Sequence, residues 1–378
     1  MIGKVVLAPD SFKGTMTSLE VCSIIQKAFS ALSPDTKTVA VPVADGGEGT
    51  VEAYIAGMGG RFCTSRVSAP LGDKVEARWG MLNDGKTAVI EMAAASGLTL
   101  TGGTLKPMQA STFGTGELLL AAADEGAKKV IIGIGGSATS DGGTGALAAL
   151  GVRFSDHAGR QVPHGAQGLA RIAAIDDRSL DPRFRDIEIV IACDVTNPLA
   201  GKNGAAYVYA PQKGADSTQV EEIDRGLLHL NEILKANTGK DLKDTPGMGA
   251  AGGLALCMSA FLDVRIKSGI DLILDIAQFD QQIADADFVI TGEGKADSQS
   301  AQGKVLAGIA KRASQKGVPV VALVGQADAG CERLYDIGIS AIFSTSRAAV
   351  PFEIARKTCR EDLYFLAESL LRFYKITA

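Results

Sequence analysis

Short apolar runs alternate with stretches of helical periodicity along this chain, and most of those runs end in a segment rich in glycine and acidic residues. The alternation is that of an α/β protein: strands buried on both faces read as continuous apolar runs, and their crossovers read as amphipathic helices. KVVLA (4–8) is expected as a buried strand, 18–32 as a helix and TVAVPV (38–43) as a second strand, with a second helix beginning at Thr50. This is a βαβα opening of doubly wound type. The style returns near the C-terminus, where DFVITG (287–292), VPVVALVG (318–325) and SAIFS (340–344) read as strands, and 304–316 and 360–375 as helices. Between the two ends, 61–68, 74–81 and 87–92 are closely spaced strand-like runs with turn residues at Gly72, Asp73, Asp84 and Gly85, which suits an antiparallel or mixed sheet. VIIGIG (130–135) and IEIVIAC (187–193) add strands, and 117–124 and 145–150 add helices. The helix at 220–235 carries Ile223, Leu227, Leu230 and Leu234 on one face. The expected architecture is two α/β domains: a Rossmann-like doubly wound domain built from both chain ends (1–62 and 285–378) and an inserted mixed α/β domain (63–284), with an active site in the cleft between them.

Composition removes several function classes. The net charge is −5 and no run of five Lys or Arg occurs, so a nucleic-acid footprint is not expected. Aromatics are only 5%, too few for a base-stacking platform. The six cysteines form no CxxC pair and no zinc spacing, and read as small buried hydrophobes. No run of 18 apolar residues is present, and the apolar run 5–8 stops at Pro9 and Asp10, so neither a membrane span nor a signal peptide is expected. A cytoplasmic protein with small-molecule partners is the expectation, with homo-oligomerisation left open. The 45 glycines, without a collagen period, point to tight turns and backbone-lined sites.

Those glycines cluster where open α/β sheets bind ligands, beyond the carboxyl ends of strands. In APDSFKG (8–14), Asp10 and Ser11 can cap a turn or meet a substrate, and Lys13 is a movable point charge for a phosphate or a carboxylate. In ADGGEGT (44–50), Gly46, Gly47 and Gly49 permit close backbone approach beside a helix N-terminus that favours an anion. Asp45 and Glu48 would repel that anion unless Mg²⁺ intervenes, or would bind substrate hydroxyls instead. GIGGSATSDGGTGAL (133–147) is the densest segment. Gly135, Gly136, Ser137, Ala138, Thr139, Asp141, Gly142 and Gly143 are expected to form a donor-rich concavity for phosphates. It is not a Walker A loop, having no GKS or GKT, nor a GxGxxG fingerprint, since Ala138 stands where the third glycine belongs.

In CDVTNPL (193–199), Asp194 can take a proton from a substrate hydroxyl or ligate Mg²⁺; the bland alternative, with Asn197, is an Asx-turn before Pro198. PQKGA (211–215) offers Gln212 and Lys213 as polar contacts. GMGAAGGLA (247–255) reads best as tight packing, and TGEGKADSQSAQGK (291–304) presents Glu293, Asp297, Ser298, Ser300 and Lys304. Glu91 in EMAAASGL (91–98) stands at a strand end. The three histidines lie outside all these segments, so a histidine-based triad is not expected and acid–base work falls to Asp, Glu or Lys. Phosphoryl transfer suits that inventory, because it depends mainly on positioning and charge neutralisation.

Taken together, APDSFK, VPVADGGEGT, NDGKTAVIEMAAASGL, GTGEL, GIGGSATSDGG, ACDVTNPL, PQKGA, GAAGG and ITGEGKADSQS closely resemble the bacterial glycerate kinase family, in its order and along nearly the whole chain. The resemblance implies two α/β domains around a cleft and phosphorylation of D-glycerate by ATP with magnesium. The product implied is 2-phosphoglycerate, in glycolate, glyoxylate and glucarate catabolism. A 3-kinase or another small sugar-acid kinase is the nearest alternative; a dehydrogenase and a non-catalytic metabolite-binding protein are more remote. On this reading Asp194 and Lys13 are catalytic. Lys13, with Lys213, would pair with the substrate carboxylate, Asp194 would orient or deprotonate the attacking hydroxyl, and 135–143 would cradle the ATP phosphates. Asp45, Glu48, Glu293 and Asp297 would serve Mg²⁺ or substrate hydroxyls, with Asp45, Asp194 and Glu293 as the metal candidates. Two departures stand out: Gly14 and Thr15 follow Lys13 where family members often carry Glu-Ser, and Lys295 replaces a common arginine.

Overall fold

The computed structural model describes residues 2–41, 43, 49–298, 300 and 305–377, with side chains as far as 375. Their strands are β1 (Lys4–Pro9), β2 (Lys37–Ala40), β3 (Gly60–Ser68), β4 (Lys74–Leu82), β5 (Thr87–Glu91), β6 (Lys129–Gly133), β7 (Arg153–Ser155), β8 (Ala174–Asp176), β9 (Glu188–Ala192), β10 (Val264–Lys267), β11 (Phe288–Ala296), β12 (Val320–Ala327) and β13 (Ile339–Ser344). The chain is mixed α/β and divides into two compact units. One is Met1–Asp45 with Ala56–Met58 and Ile270–Ala378; the other is Gly46–Ile55 with Gly59–Gly269.

The first unit holds a five-stranded sheet in the order β13-β12-β11-β1-β2, parallel throughout. Counted within the unit this is the doubly wound order 2-1-3-4-5, whose direction of winding reverses between β1 and β11. The expected apolar runs explain it: every residue of β1 is buried, as are the first six of β11. The helix Ser18–Leu32 starts in a capping box, in which the Thr17 hydroxyl accepts from the Glu20 amide and the Glu20 carboxylate from the Thr17 amide. Its Val21, Ile25 and Phe29 share a core with Leu363, Ala367 and Leu371 of the C-terminal helix Phe352–Thr377.

The second unit carries a six-stranded mixed sheet, β10-β9-β6-β5-β4-β3. β10, β9, β6 and β5 run parallel, and β4 and β3 are antiparallel, as the closely spaced central runs predict. The helix Ser217–Thr238 buries Ile223, Leu227, Leu230 and Leu234 on its expected face and begins in a second capping box, between Asp216 and Gln219.

Some elements differ from expectation. β10 is a four-residue strand alternating half-buried and exposed positions, with no apolar run to announce it. β2 ends at Ala40 rather than 43. The last helix starts eight residues before 360, because its first turns are largely exposed and lack an apolar period.

Candidate functional site

In the first unit, the winding reversal puts the ends of β1 and β11 side by side, the place where such sheets bind ligands. Asp10, Ser11, Lys13 and Glu293 line one cavity there, of about 520 Å³, with Phe352 and Arg356 of the last helix on its wall. That volume lies within the ordinary range for small-molecule sites. Asp10 and Glu293 are 7% and 8% exposed, so two carboxylates face the cavity from nearly buried positions. The Asp10 carboxylate accepts from the Ser11 amide at 2.6 Å.

Lys13 stands exposed on a tight turn in which Phe12 and Met16 exchange backbone hydrogen bonds. Gly14 closes the turn at φ +76°, a left-handed conformation that glycine adopts without strain, and the Thr15 hydroxyl donates to the Phe12 carbonyl at 2.7 Å. The Gly14-Thr15 departure therefore has a local geometric role. Gly292 is required differently: a Cβ there would overlap the Leu323 carbonyl oxygen on β12. Lys295 is held by Asp328 at 2.8 Å. Asp297 and Ser298 lie in the turn after β11 and are not among the lining residues. Asp45, Gly46, Gly47, Glu48 and Lys304 lie outside the described residues.

In the second unit, the loop between β6 and the helix Thr144–Ala149 gathers several of the glycine-rich segments. The Leu98 amide donates to the Gly136 carbonyl, the Ala138 amide to the Ser96 carbonyl, and the Gly142 amide to the Gly252 carbonyl. A Cβ on Gly252 would overlap the Thr139 carbonyl oxygen, so GAAGG serves tight packing, as expected. Gly142 and Gly143 are packing positions too. A Cβ on Gly142 would meet Leu230 at 2.6 Å, and one on Gly143 would overlap the Leu254 carbonyl. Residues 137–147 are buried, and the accessible part of the loop is Gly135 and Gly136.

Asp141 is fully buried. Its carboxylate accepts from the Thr112 amide and hydroxyl, both at 2.9 Å to one oxygen, and from the Gly143 and Gly145 amides at 3.1 and 3.2 Å. Burial pushes its pKa up, while these donors, which suit only an ionised carboxylate, pull the other way. Lys213 is 2% exposed, and its ammonium donates to the Ser137 hydroxyl at 2.9 Å and the Thr139 carbonyl at 2.6 Å. It is turned into the loop rather than presented as a free surface cation.

Asp194 follows β9. One of its oxygens accepts from the Ser268 hydroxyl at 2.7 Å and the Gly269 amide at 2.9 Å, both just past the neighbouring strand β10. Asn197 accepts from the Tyr209 hydroxyl and donates to the Asn203 carbonyl, so its side chain ties down its own segment. Burial raises the thiol pKa of Cys193, which leaves the thiol protonated beside Asp194. Among the described residues, no three His, Cys, Asp or Glu side chains converge on a metal-sized site, and no helix is long and apolar enough to cross a membrane.

Sequence reasoning singles out neither Thr112 nor Ser268. Thr112 lies two residues before GTGEL, whose own acid, Glu117, is the residue that draws attention; Ser268 follows β10, a strand without an apolar run. Arg356 and Phe352 belong to helix turns without a readable period.

Comparison with known proteins places these features in a wider set. A sequence model described as "Glycerate kinase family" matches residues 5–375. Glycerate 2-kinase of Escherichia coli K12 is 46% identical over 342 residues, 90% of each chain. Glycerate kinase of Bacillus subtilis 168 is 42% identical over 374 residues, 99% of this chain and 98% of that one. A crystal structure provisionally described as glycerate kinase 2 from Salmonella typhimurium LT2 superposes with a TM-score of 0.88 at 39% identity, covering 100% of this chain and 99% of that one. With a family match along almost its entire length and relatives this close, the chain belongs to the glycerate kinase family.

Proposed function

We propose that this protein transfers the γ-phosphoryl group of ATP to the 2-hydroxyl of D-glycerate, giving 2-phosphoglycerate, in the cytoplasm. The observation that carries the reading is the cavity beyond β1 and β11, which an exposed lysine and two nearly buried carboxylates line in a chain of this family. The identity to a protein named glycerate 2-kinase favours the 2-hydroxyl.

The two units are taken as the enzyme's two domains. Lys13, exposed on a turn that fixes its backbone, pairs with the substrate carboxylate. Asp194 accepts the proton of the attacking hydroxyl. The bonds from Ser268 and Gly269 support this role, because they hold the carboxylate in one orientation. The accessible turn at Gly135 and Gly136 lies along the phosphates, while Asp141 and the packed glycines behind it keep that turn in place. Asp10 and Glu293 are hard oxygen donors sharing one cavity, the kind of partial ligand set that Mg²⁺ completes with phosphate oxygens and water. When bound, the ion neutralises phosphate charge.

The test is ADP release from ATP and D-glycerate with ³¹P NMR of the product. No release with D-glycerate would refute the kinase reading, and a phosphorus signal coupled to the C3 methylene would refute the 2-hydroxyl assignment.

A further inference from the structure

We propose that Lys213 is a positioning residue rather than a substrate ligand: its enclosed ammonium fixes the loop 135–143 from behind, so that the accessible turn at Gly135 and Gly136 is held ready for a triphosphate. The inference rests on the reading that this loop serves phosphoryl transfer from ATP.

Three observations carry it. First, Lys213 is 2% exposed and its ammonium donates to two points of the loop, the Ser137 hydroxyl and the Thr139 carbonyl. A substrate carboxylate could reach that nitrogen only if both bonds broke. Second, the lysine is held from its own side. It ends the turn Pro211–Lys213, and the next residue, Gly214, has φ +94° and no room for a Cβ, which would come within 2.5 Å of Leu105. The ammonium is therefore delivered to the loop from a fixed backbone. Third, the loop is more polar inside than packing requires. Thr139 and Ser140 are both fully buried, and neither hydroxyl has a hydrogen-bond partner among the described residues. An apolar side chain in place of Lys213 would leave two more polar groups unsatisfied, each at a desolvation cost. A buried charge is retained here because it organises polar backbone, not because it fills space.

The same enclosure makes the clasp sensitive to pH. Burial lowers the Lys213 pKa to about 7, opposed by the charge of Asp141 on the loop itself, the one charged group whose field bears on it among the described residues. As pH rises through that value the ammonium becomes an amine, and the two charge-assisted bonds weaken to ordinary ones.

The experiment measures kcat and the KM for ATP and for D-glycerate from about pH 6 to about pH 9, with hydrogen-exchange protection of the loop, in wild type, Lys213→Met and Lys213→Arg. Lys213→Met is expected to raise the KM for ATP roughly ten- to a hundredfold, to leave the KM for glycerate unchanged and to speed exchange across 135–143. Wild-type KM for ATP and loop opening should climb above about pH 7, and Lys213→Arg, whose charge is permanent, should flatten that climb. A Lys213→Met enzyme with a raised KM for glycerate alone, or with wild-type KM for ATP and wild-type loop protection, overturns the proposal. If Lys213→Met does not fold, the wild-type protection profile decides: a loss above pH 7 supports the clasp, and a flat profile sinks it. Failure of wild type to release ADP with glycerate would refute the kinase reading, while loop protection would still test the clasp.

Discussion

Alanine at Gly143 and alanine at Gly136 should have different consequences, although both glycines lie in one loop and both have positive φ. Gly143, at φ +80° and ψ 9°, is left-handed, and an L-residue there costs about 1–2 kcal/mol. Its Cβ would also overlap the Leu254 carbonyl oxygen and come within 3.2 Å of the carbonyl carbon. Backbone in a packed helix turn does not yield as a flexible side chain does, so an overpacking cost of about 1–3 kcal/mol is added. The total is about 2–5 kcal/mol. Any shift of the loop would also lengthen the bond from the Gly143 amide to Asp141, now 3.1 Å. Gly136, at φ +71°, has as its nearest neighbour for a new Cβ only the Ala93 methyl, at 3.4 Å, so the backbone cost of about 1–2 kcal/mol stands alone. The assay is urea unfolding at constant m-value, comparing midpoints. Because Gly136 is on the accessible turn, Gly136→Ala should keep the fold yet weaken ATP binding, whereas Gly143→Ala should lose stability first. Equal destabilisation by the two substitutions would refute the claim that Gly143 is a packing glycine.

Three further outcomes are expected. Asp194→Asn should fold normally and lose about 10²–10⁴ in kcat with little change in either KM; full turnover would remove the residue from the chemistry. Lys13→Met should leave the unfolding midpoint unchanged, since the side chain is exposed, and should raise the KM for glycerate roughly ten- to a hundredfold, the equivalent of one charged hydrogen bond of about 1.5–3 kcal/mol; an unchanged KM would take the cation away from the carboxylate. Stripping divalent cations with EDTA should abolish ADP release, and added Mg²⁺ should restore it; turnover persisting in EDTA would remove the metal from Asp10 and Glu293.

The sheet of the first unit was legible because β1, β11 and β12 are enclosed by helices, and enclosure leaves a continuous apolar run in the sequence. β10 was not, because an edge strand of four residues needs only half its side chains apolar. At the site, the chemistry-bearing segments could be found one at a time, since each stands where a strand ends. What could not be read was which glycines admit a ligand and which admit a neighbouring backbone: Gly136 and Gly143 differ only in what lies beyond the missing Cβ. The same limit applied to Lys213. Its residue type suggested an anion, but the partner it meets is a loop some seventy residues earlier, and only the folded chain brings them together.

The pairing of β1 with β11 also sets an order of assembly. Val5 waits for Phe288 and Leu7 for Ile290, so on the ribosome the N-terminal strand must spend most of synthesis with one flank open. The stretch Gly59–Gly269 emerges in the interval and holds nearly all that its own sheet requires. Translation thus completes the Gly59–Gly269 stretch first and the β1 sheet only with about its last hundred residues, and an mRNA cut short between Gly269 and β11 yields a finished second sheet beside a β1 with one unpaired edge, a ready target for chaperones.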